Sequence, residues 1–134
     1  MYLIDTNVLS ELVKKNPDSN SMATLRVTPA DALFSASICI MELRYGALKR
    51  RNPSDLWTKI EQRILPRIHI LPFSYKEAIK AGDLMHHLYS IGQPIGIEDT
   101  MIASTALCNG LTLVSANIKH LSRIPDLKME NWFQ

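Results

Sequence analysis

Near its N-terminus the chain reads Tyr2-Leu3-Ile4-Asp5-Thr6-Asn7, three apolar residues that run directly into a carboxylate. A short apolar run without polar alternation is typical of a buried parallel strand. Ligands of open α/β sheets bind beyond the carboxyl ends of such strands. Asp5 therefore lies where a functional site is expected, although an Asp at this position can equally cap the helix that follows it.

The composition of the 134 residues indicates one globular domain, spanning residues 1–134. Hydrophobic residues make up 46% and charged residues 21% of the chain, which argues against a disordered protein. No apolar run approaches the roughly 20 residues that span a bilayer, and the N-terminus lacks the pattern of a signal peptide. We therefore expect a cytoplasmic protein with no membrane partner. Cys39 and Cys108 lie within apolar patterns, which predicts buried free thiols.

Strand-like and helix-like segments alternate along the rest of the chain. Further strands are predicted over residues 32–37, 67–71 and 111–114, each preceded by two helices, with a short last strand around residues 127–129. Helix caps are predicted at Ser21, at Ser74 with Glu77, and at Asn109-Gly110. This order of elements predicts right-handed crossovers and an α/β fold in which helices cover both faces of a mainly parallel central sheet.

Two acidic side chains follow predicted strands, and a third opens a helix that leads into a strand. Asp5 follows the first strand, Glu42 follows the second, and Asp99 opens the helix before the fourth. The polar residues that follow the fourth strand are Ser115 and Asn117. Parallel strands bring these positions to one edge of the sheet. Three carboxylates gathered there repel one another unless a cation binds them, and their hard oxygen ligands suit Mg²⁺ or Mn²⁺.

Glu42 also has a simpler interpretation. If Cys39 is the N-cap of the helix, Glu42 is an acid in the first turn that interacts favourably with the helix dipole. Cys is a poor capping residue, which favours the interpretation of Glu42 as part of a site.

Other doubly wound enzymes are excluded by the same residues. A dehalogenase-type phosphatase needs a second Asp two residues after the first, where this chain has Asn7. A receiver domain needs an acid pair at the first strand and a phosphoacceptor Asp after the third, and neither is present. The chain also lacks a Walker loop, a dinucleotide-binding glycine motif and a nucleophile elbow.

The sequence resembles the PIN-domain ribonucleases, and within them the VapC-type toxins of bacterial toxin–antitoxin pairs. The resemblance covers nearly the whole chain. It is carried by residues 3–10 (LIDTNVLS), 41–47 (MELRYGA), 94–96 (PIG), Asp99, 102–103 (IA), 113–117 (LVSAN) and 127–132 (LKMENW). The resemblance implies a three-layer α/β/α PIN-like fold and an Mg²⁺- or Mn²⁺-dependent endoribonuclease that acts on RNA, with tRNA or rRNA as the expected substrate.

The resemblance also implies roles for individual residues. Asp5, Glu42 and Asp99 are expected to hold the metal, with Asn117 as a further catalytic residue. The family often has Asp at the position of Asn117, which places a second tightly held ion in question. Thr6 and Ser115 are expected to position the substrate. A VapB-type antitoxin and a homodimer are the expected protein partners.

Basic residues supply a further expectation. The chain has 15 Lys and Arg against 13 Asp and Glu, so 13 − 3 = 10 acids remain to balance them if three acids bind metal. The candidate phosphate contacts are Arg44, Lys49, Arg50 and Arg51. Lys49 is the preferred one, because it shares a helical face with Glu42 and Gly46. A solvated helix end explains the same cluster equally well.

Two alternative functions remain open for the protein as a whole: a non-catalytic RNA-binding module and a flap-cleaving DNA nuclease.

Overall fold

A computed structural model of the chain describes residues 1–133, and its centre is a five-stranded sheet. The strands are β1 (Tyr2–Ile4), β2 (Leu33–Ala36), β3 (His69–Leu71), β4 (Thr112–Val114) and β5 (Met129–Glu130). Their order across the sheet is β3-β2-β1-β4-β5, and every pairing is parallel. β1 is therefore the central strand, as its uninterrupted apolar sequence predicts.

Within residues 1–133, seven α-helices connect the strands and complete a three-layer α/β/α fold. They are α1 (Thr6–Leu12), α2 (Ser19–Val27), α3 (Ser37–Leu48), α4 (Pro53–Arg63), α5 (Tyr75–Ser90), α6 (Ile97–Cys108) and α7 (Ile118–Leu121). The predicted fold class and the predicted order of elements are confirmed up to β4. The short helix α7, between β4 and β5, was not predicted. Among residues 1–133, no helix is both long and apolar enough to cross a membrane.

The core lies between the sheet and the inner faces of the helices. Leu3 and Ile4 of β1 are fully buried. The small residues Ala103 and Ala106 of α6 are fully buried as well, so this helix packs closely on its neighbours. The C-terminal segment joins the same core through Trp132, which is 3% exposed and makes an edge-on contact with the Tyr2 ring at 5.5 Å.

Two predicted helix caps are wrong, and both errors concern where a helix begins. The N-cap of α2 is Asp18, whose carboxylate accepts from the Ser21 amide at 2.9 Å. Ser21 is a buried residue inside the helix, and its hydroxyl donates to the Trp132 carbonyl at 3.1 Å. In α3 the N-cap is Ala36 rather than Cys39, because the helix begins directly after β2. Glu42 is thus in the second turn of α3, which excludes its interpretation as a first-turn acid.

The predicted ends of the later helices are confirmed. Ser74 and Glu77 form the predicted capping box at the start of α5. The cap of α6 is Asn109, and Gly110 follows with a φ of +64°, a left-handed conformation that favours glycine. Of the two free thiols, Cys39 is buried as predicted, but Cys108 is only half-buried because it lies at the end of α6.

Candidate active site

Asp5 lies at the carboxyl end of the central strand and is only 4% exposed. One carboxylate oxygen, Oδ1, accepts from the Thr6 amide at 2.7 Å, so Asp5 does cap α1. The other oxygen, Oδ2, accepts from the Ser115 hydroxyl at 2.6 Å. Asp5 can therefore cap α1 and also belong to a functional site. The capping bond orients its carboxylate, and the hydrogen bond from Ser115 connects it to the residues that follow β4.

Glu42 reaches the same place from α3. Its Oε1 accepts from the Thr6 hydroxyl at 2.6 Å, which joins residues 36 positions apart in the sequence. Ligand atoms of Asp5, Glu42 and Cys39 all lie within 4.8 Å of one another. Cys39 was not predicted to belong to this cluster. Its spacing of three residues from Glu42 on one helix was the available signal, because residues three apart share a helical face.

Asp99, in the first turn of α6, is half-buried and hydrogen-bonded to Asn117. The Asn117 side-chain amide donates to Asp99 Oδ2 at 3.1 Å, and its backbone amide donates to the Ser115 hydroxyl oxygen at 3.0 Å. A chain of hydrogen bonds therefore runs from Asp5 through Ser115 and Asn117 to Asp99. Glu98, the adjacent acid, is exposed.

Two of the acids, Asp5 and Asp99, have a raised pKa when no cation is bound. Burial raises the pKa of Asp5 above its usual value, and the charges of Asp99 and Glu42 raise it further, against the lowering effect of the hydrogen bonds it accepts. Burial also raises the pKa of Asp99, with nearby His120 opposing the shift. Carboxylates in this condition gain most from a bound cation, and their hard oxygens fit a divalent ion such as Mg²⁺.

Two further polar residues near the acids were not predicted as site residues. Asn7 accepts from the Ala116 amide at 3.3 Å and directs its own amide toward Asp5 Oδ2 at 3.5 Å. Its position two residues after Asp5, at the start of α1, was the available signal. His120 lies on α7, and because that helix was not predicted, nothing in the sequence pointed to a histidine near Asp99.

A cleft of about 450 Å³ extends from Glu42 between α1, α3 and α4. The basic residues that line it are Lys14, Lys15, Arg50, Arg51 and Lys59. Two predicted phosphate contacts make other interactions: the Lys49 ammonium lies 4.6 Å from the centre of the Tyr45 ring, and the Arg44 guanidinium lies 5.0 Å from that of Trp57. The role predicted for Lys49 remains a prediction.

Comparison with known proteins identifies relatives that match the chain along its length. The family model of the PIN domain matches residues 2–127. Ribonuclease VapC2 of Rickettsia felis is 37% identical over 98% of this chain and 98% of its own length. The tRNA(fMet)-specific endonuclease VapC of Salmonella typhimurium is 30% identical over 98% of this chain and 97% of its own length.

The fold of the chain is also similar to that of a solved structure. The crystal structure of VapBC2 from Rickettsia felis, bound to a DNA fragment from their promoter, contains a chain that superposes with a TM-score of 0.89. The two chains are 35% identical, and the match covers 98% of each. The fold, the acids at the carboxyl edge of its sheet and these full-length matches lead to one conclusion: the chain belongs to the PIN-domain family, among the VapC ribonucleases.

Proposed function

We propose that this protein is a divalent-metal-dependent endoribonuclease that hydrolyses RNA phosphodiester bonds and acts as the toxin of a toxin–antitoxin pair. The observation that carries the proposal is the carboxylate cluster at the carboxyl edge of the sheet. Asp5 and Glu42 lie with Cys39 within 4.8 Å, and hydrogen bonds through Ser115 and Asn117 connect Asp5 to Asp99. The relatives named as VapC ribonucleases support the same activity.

In this proposal Asp5, Glu42 and Asp99 hold an Mg²⁺ or Mn²⁺ ion. When bound, such an ion neutralises the charge of the scissile phosphate and lowers the pKa of a coordinated water. The chain's own polar residues fix the carboxylates in advance: the Thr6 hydroxyl orients Glu42, and the Ser115 hydroxyl orients Asp5. This arrangement matters because ligands that are already oriented lose less free energy on binding the ion.

Asn117 has a different role in this mechanism. Its amide donates to Asp99 Oδ2 and thereby restrains that carboxylate while offering a neutral oxygen of its own. A neutral amide attracts a cation less than a carboxylate does. One tightly held ion is therefore proposed, and a second one would bind more weakly.

The proposed substrate is a structured RNA. The Salmonella typhimurium relative is named as a tRNA(fMet)-specific endonuclease, which makes tRNA the first substrate class to test and rRNA the second. The decisive assay compares labelled RNA and labelled DNA, each with Mg²⁺ and with EDTA. We expect cleavage of RNA alone, with Mg²⁺ alone. RNA binding without cleavage would favour the alternative of a non-catalytic RNA-binding module, and cleavage of DNA would favour the flap-nuclease alternative.

The proposed protein partners are a VapB-type antitoxin and a second copy of this chain in the bacterial cytoplasm. The structure of the Rickettsia felis relative is that of a VapBC2 complex. A cluster of carboxylates attracts a basic side chain, and an arginine of the antitoxin can pair with two carboxylate oxygens in competition with the metal. Inhibition should therefore weaken as the concentration of Mg²⁺ or of salt rises.

Light scattering tests the proposed dimer, because a mass near the 15.2 kDa of one chain would exclude it.

A further inference from the structure

The cleft beside Glu42 is continuous with the carboxylate cluster, because Glu42 belongs to both. Along α3 two rows of residues four apart line the cleft, and one of them runs from Glu42 through Gly46 to Arg50, just beyond the helix end. At a rise of about 1.5 Å per residue, Arg50 lies about 12 Å along the helix axis from Glu42. This separation places Arg50 at the far end of the cleft from the carboxylates, where a phosphate farther along the strand would lie.

The charge of the cleft favours an anionic occupant. Five basic residues line it, against two carboxylates, those of Glu42 and Asp55. Lys59 lies 4.0 Å from Asp55, and Lys14 pairs at 2.9 Å with Glu11 outside the lining. In the described part of the chain, no carboxylate lies within salt-bridge distance of the remaining three, Lys15, Arg50 and Arg51. Cations without acidic partners are free to bind phosphates.

The floor of the cleft leaves room for a nucleotide. A Cβ atom added at Gly46 would meet no atom within 4 Å, so glycine leaves open space one turn beyond Glu42. The volume of about 450 Å³ falls within the range of small-molecule sites. The half-buried side chain of Leu56 forms part of the wall, against which a ribose or base can pack.

We infer that this cleft is a subsite for the RNA strand on one side of the scissile bond, where Arg50, Arg51 and Lys15 bind flanking phosphates and Gly46 leaves space for the nucleotide between them and the carboxylates. This inference rests on the proposed function. It differs from the sequence-based expectation in its residues. Arg50 and Arg51 are retained, Lys15 is added, and Arg44 and Lys49 are left out because neither lines the cleft.

The first test measures RNA binding without cleavage. A fluorescein-labelled single-stranded RNA is titrated in EDTA with wild type, with Arg50→Ala/Arg51→Ala, and with Arg63→Ala/Arg67→Ala. The second pair is a matched control, because it removes the same charge from two exposed arginines outside the cleft. We expect binding about tenfold weaker for the first pair, and a salt dependence reduced by about 1.4 in log–log slope, from 0.7 per lost phosphate contact. The control pair should bind nearly as wild type does.

The second test fills the cleft. Gly46→Leu places a side chain in the open space, whereas Gly82→Leu does so on an exposed face of α5, where an added Cβ also meets nothing within 4 Å. Both changes replace a helical glycine by a better helix former, so both variants should fold. We expect only Gly46→Leu to weaken RNA binding, and melting curves check that both are folded.

The outcomes separate this inference from the proposed function. If wild type cleaves RNA with Mg²⁺ but the two arginine pairs weaken binding equally, the subsite is wrong and the function stands. The same holds if Arg50→Ala/Arg51→Ala binds RNA as wild type does and instead loses affinity for a protein partner, because the cleft is then a protein-binding surface. If wild type neither binds nor cleaves RNA, the function and the subsite both fail.

Discussion

The Thr6 hydroxyl donates a 2.6 Å hydrogen bond to Glu42 Oε1, and this bond connects the first residue of α1 to the second turn of α3. Asp5 precedes Thr6 and accepts from its backbone amide at 2.7 Å. One residue therefore contacts two of the three proposed metal ligands, one through its backbone and the other through its side chain. Thr6 orients protein carboxylates in this structure. The substrate-positioning role that the resemblance implies for Thr6 stays a prediction.

Thr6→Val should lower RNA cleavage about tenfold, because the side chain keeps its shape but loses the hydrogen bond that orients Glu42. Thr6→Ser retains a hydroxyl and should restore most of the activity. Mg²⁺ affinity, measured by calorimetry without RNA, should weaken for Thr6→Val and recover for Thr6→Ser. A Thr6→Val protein with unchanged metal affinity and slower cleavage would instead assign Thr6 to the substrate.

The three acids should be individually essential. Asp5→Asn, Glu42→Gln and Asp99→Asn should each lower cleavage at least about 100-fold, since each removes a proposed ligand rather than a supporting contact. In EDTA each variant should melt no lower than wild type, because removing one charge relieves the repulsion that adds to burial in raising the pKa of Asp5. A variant that is folded and cleaves RNA at the wild-type rate with Mg²⁺ would remove that acid from the site.

The strand that leads to Asp5 could be predicted from the sequence because strand ends carry a local signal. Three apolar residues followed by Asp5 mark the end of a strand, and the parallel order of the sheet then brings distant strand ends together. Starts of helices were less predictable. The predicted second strand extends beyond Ala36, where β2 ends, so the predicted cap falls at Cys39, and no local pattern shows that Cys39 lies beside Asp5 and Glu42.

Features that depend on packing could not be predicted from the sequence. The basic cleft takes Lys15 from the segment after α1, Arg50 from the end of α3 and Lys59 from α4, and no local pattern sets how these elements approach one another. The helix α7 has only four residues, Ile118–Leu121, too few for a helical period to be visible. His120 lies on this helix, so its position near Asp99 could not be predicted either.

Asn117→Asp should bind metal more tightly and retain or increase activity, because it adds an anionic oxygen to the site. The structure also indicates that this change lowers the stability of the metal-free protein. Asn117 now donates to Asp99 at 3.1 Å, and an Asp there would repel that carboxylate when no ion is bound. The variant should therefore melt lower than wild type in EDTA and gain more from Mg²⁺.

Asn117→Ala is the companion variant. It loses the bond to Asp99 without adding charge, so activity should fall only in part and metal affinity should weaken slightly. Calorimetric titration with Mg²⁺ compares the two variants directly. Equal affinities for wild type and both variants would show that Asn117 does not act on the ion.

Glu77 offers a test of the fold that is independent of the active site. It is 1% exposed at the start of α5, and its oxygens accept from the Ser74 amide at 3.1 Å and from the Asn109 side chain at 3.2 Å. Burial alone would raise its pKa, but the hydrogen bonds outweigh burial and lower the pKa below the usual 4.5. The ionised form thus stabilises the folded state and joins the start of α5 to the end of α6.

Glu77→Gln should destabilise the protein by about 1–2 kcal/mol at pH 7, since it weakens charge-assisted hydrogen bonds and half of a capping box. Because the folded-state pKa is lowered, the stabilisation is complete above the unfolded-state value and is lost as the pH falls through the folded-state value. The difference between wild type and Glu77→Gln in urea unfolding should therefore be constant from pH 7 to about 5.5 and shrink below the usual pKa of 4.5. Glu61→Gln, which changes an exposed glutamate of α4, is the matched control and should leave stability unchanged. A difference that grows as the pH falls would contradict the lowered pKa.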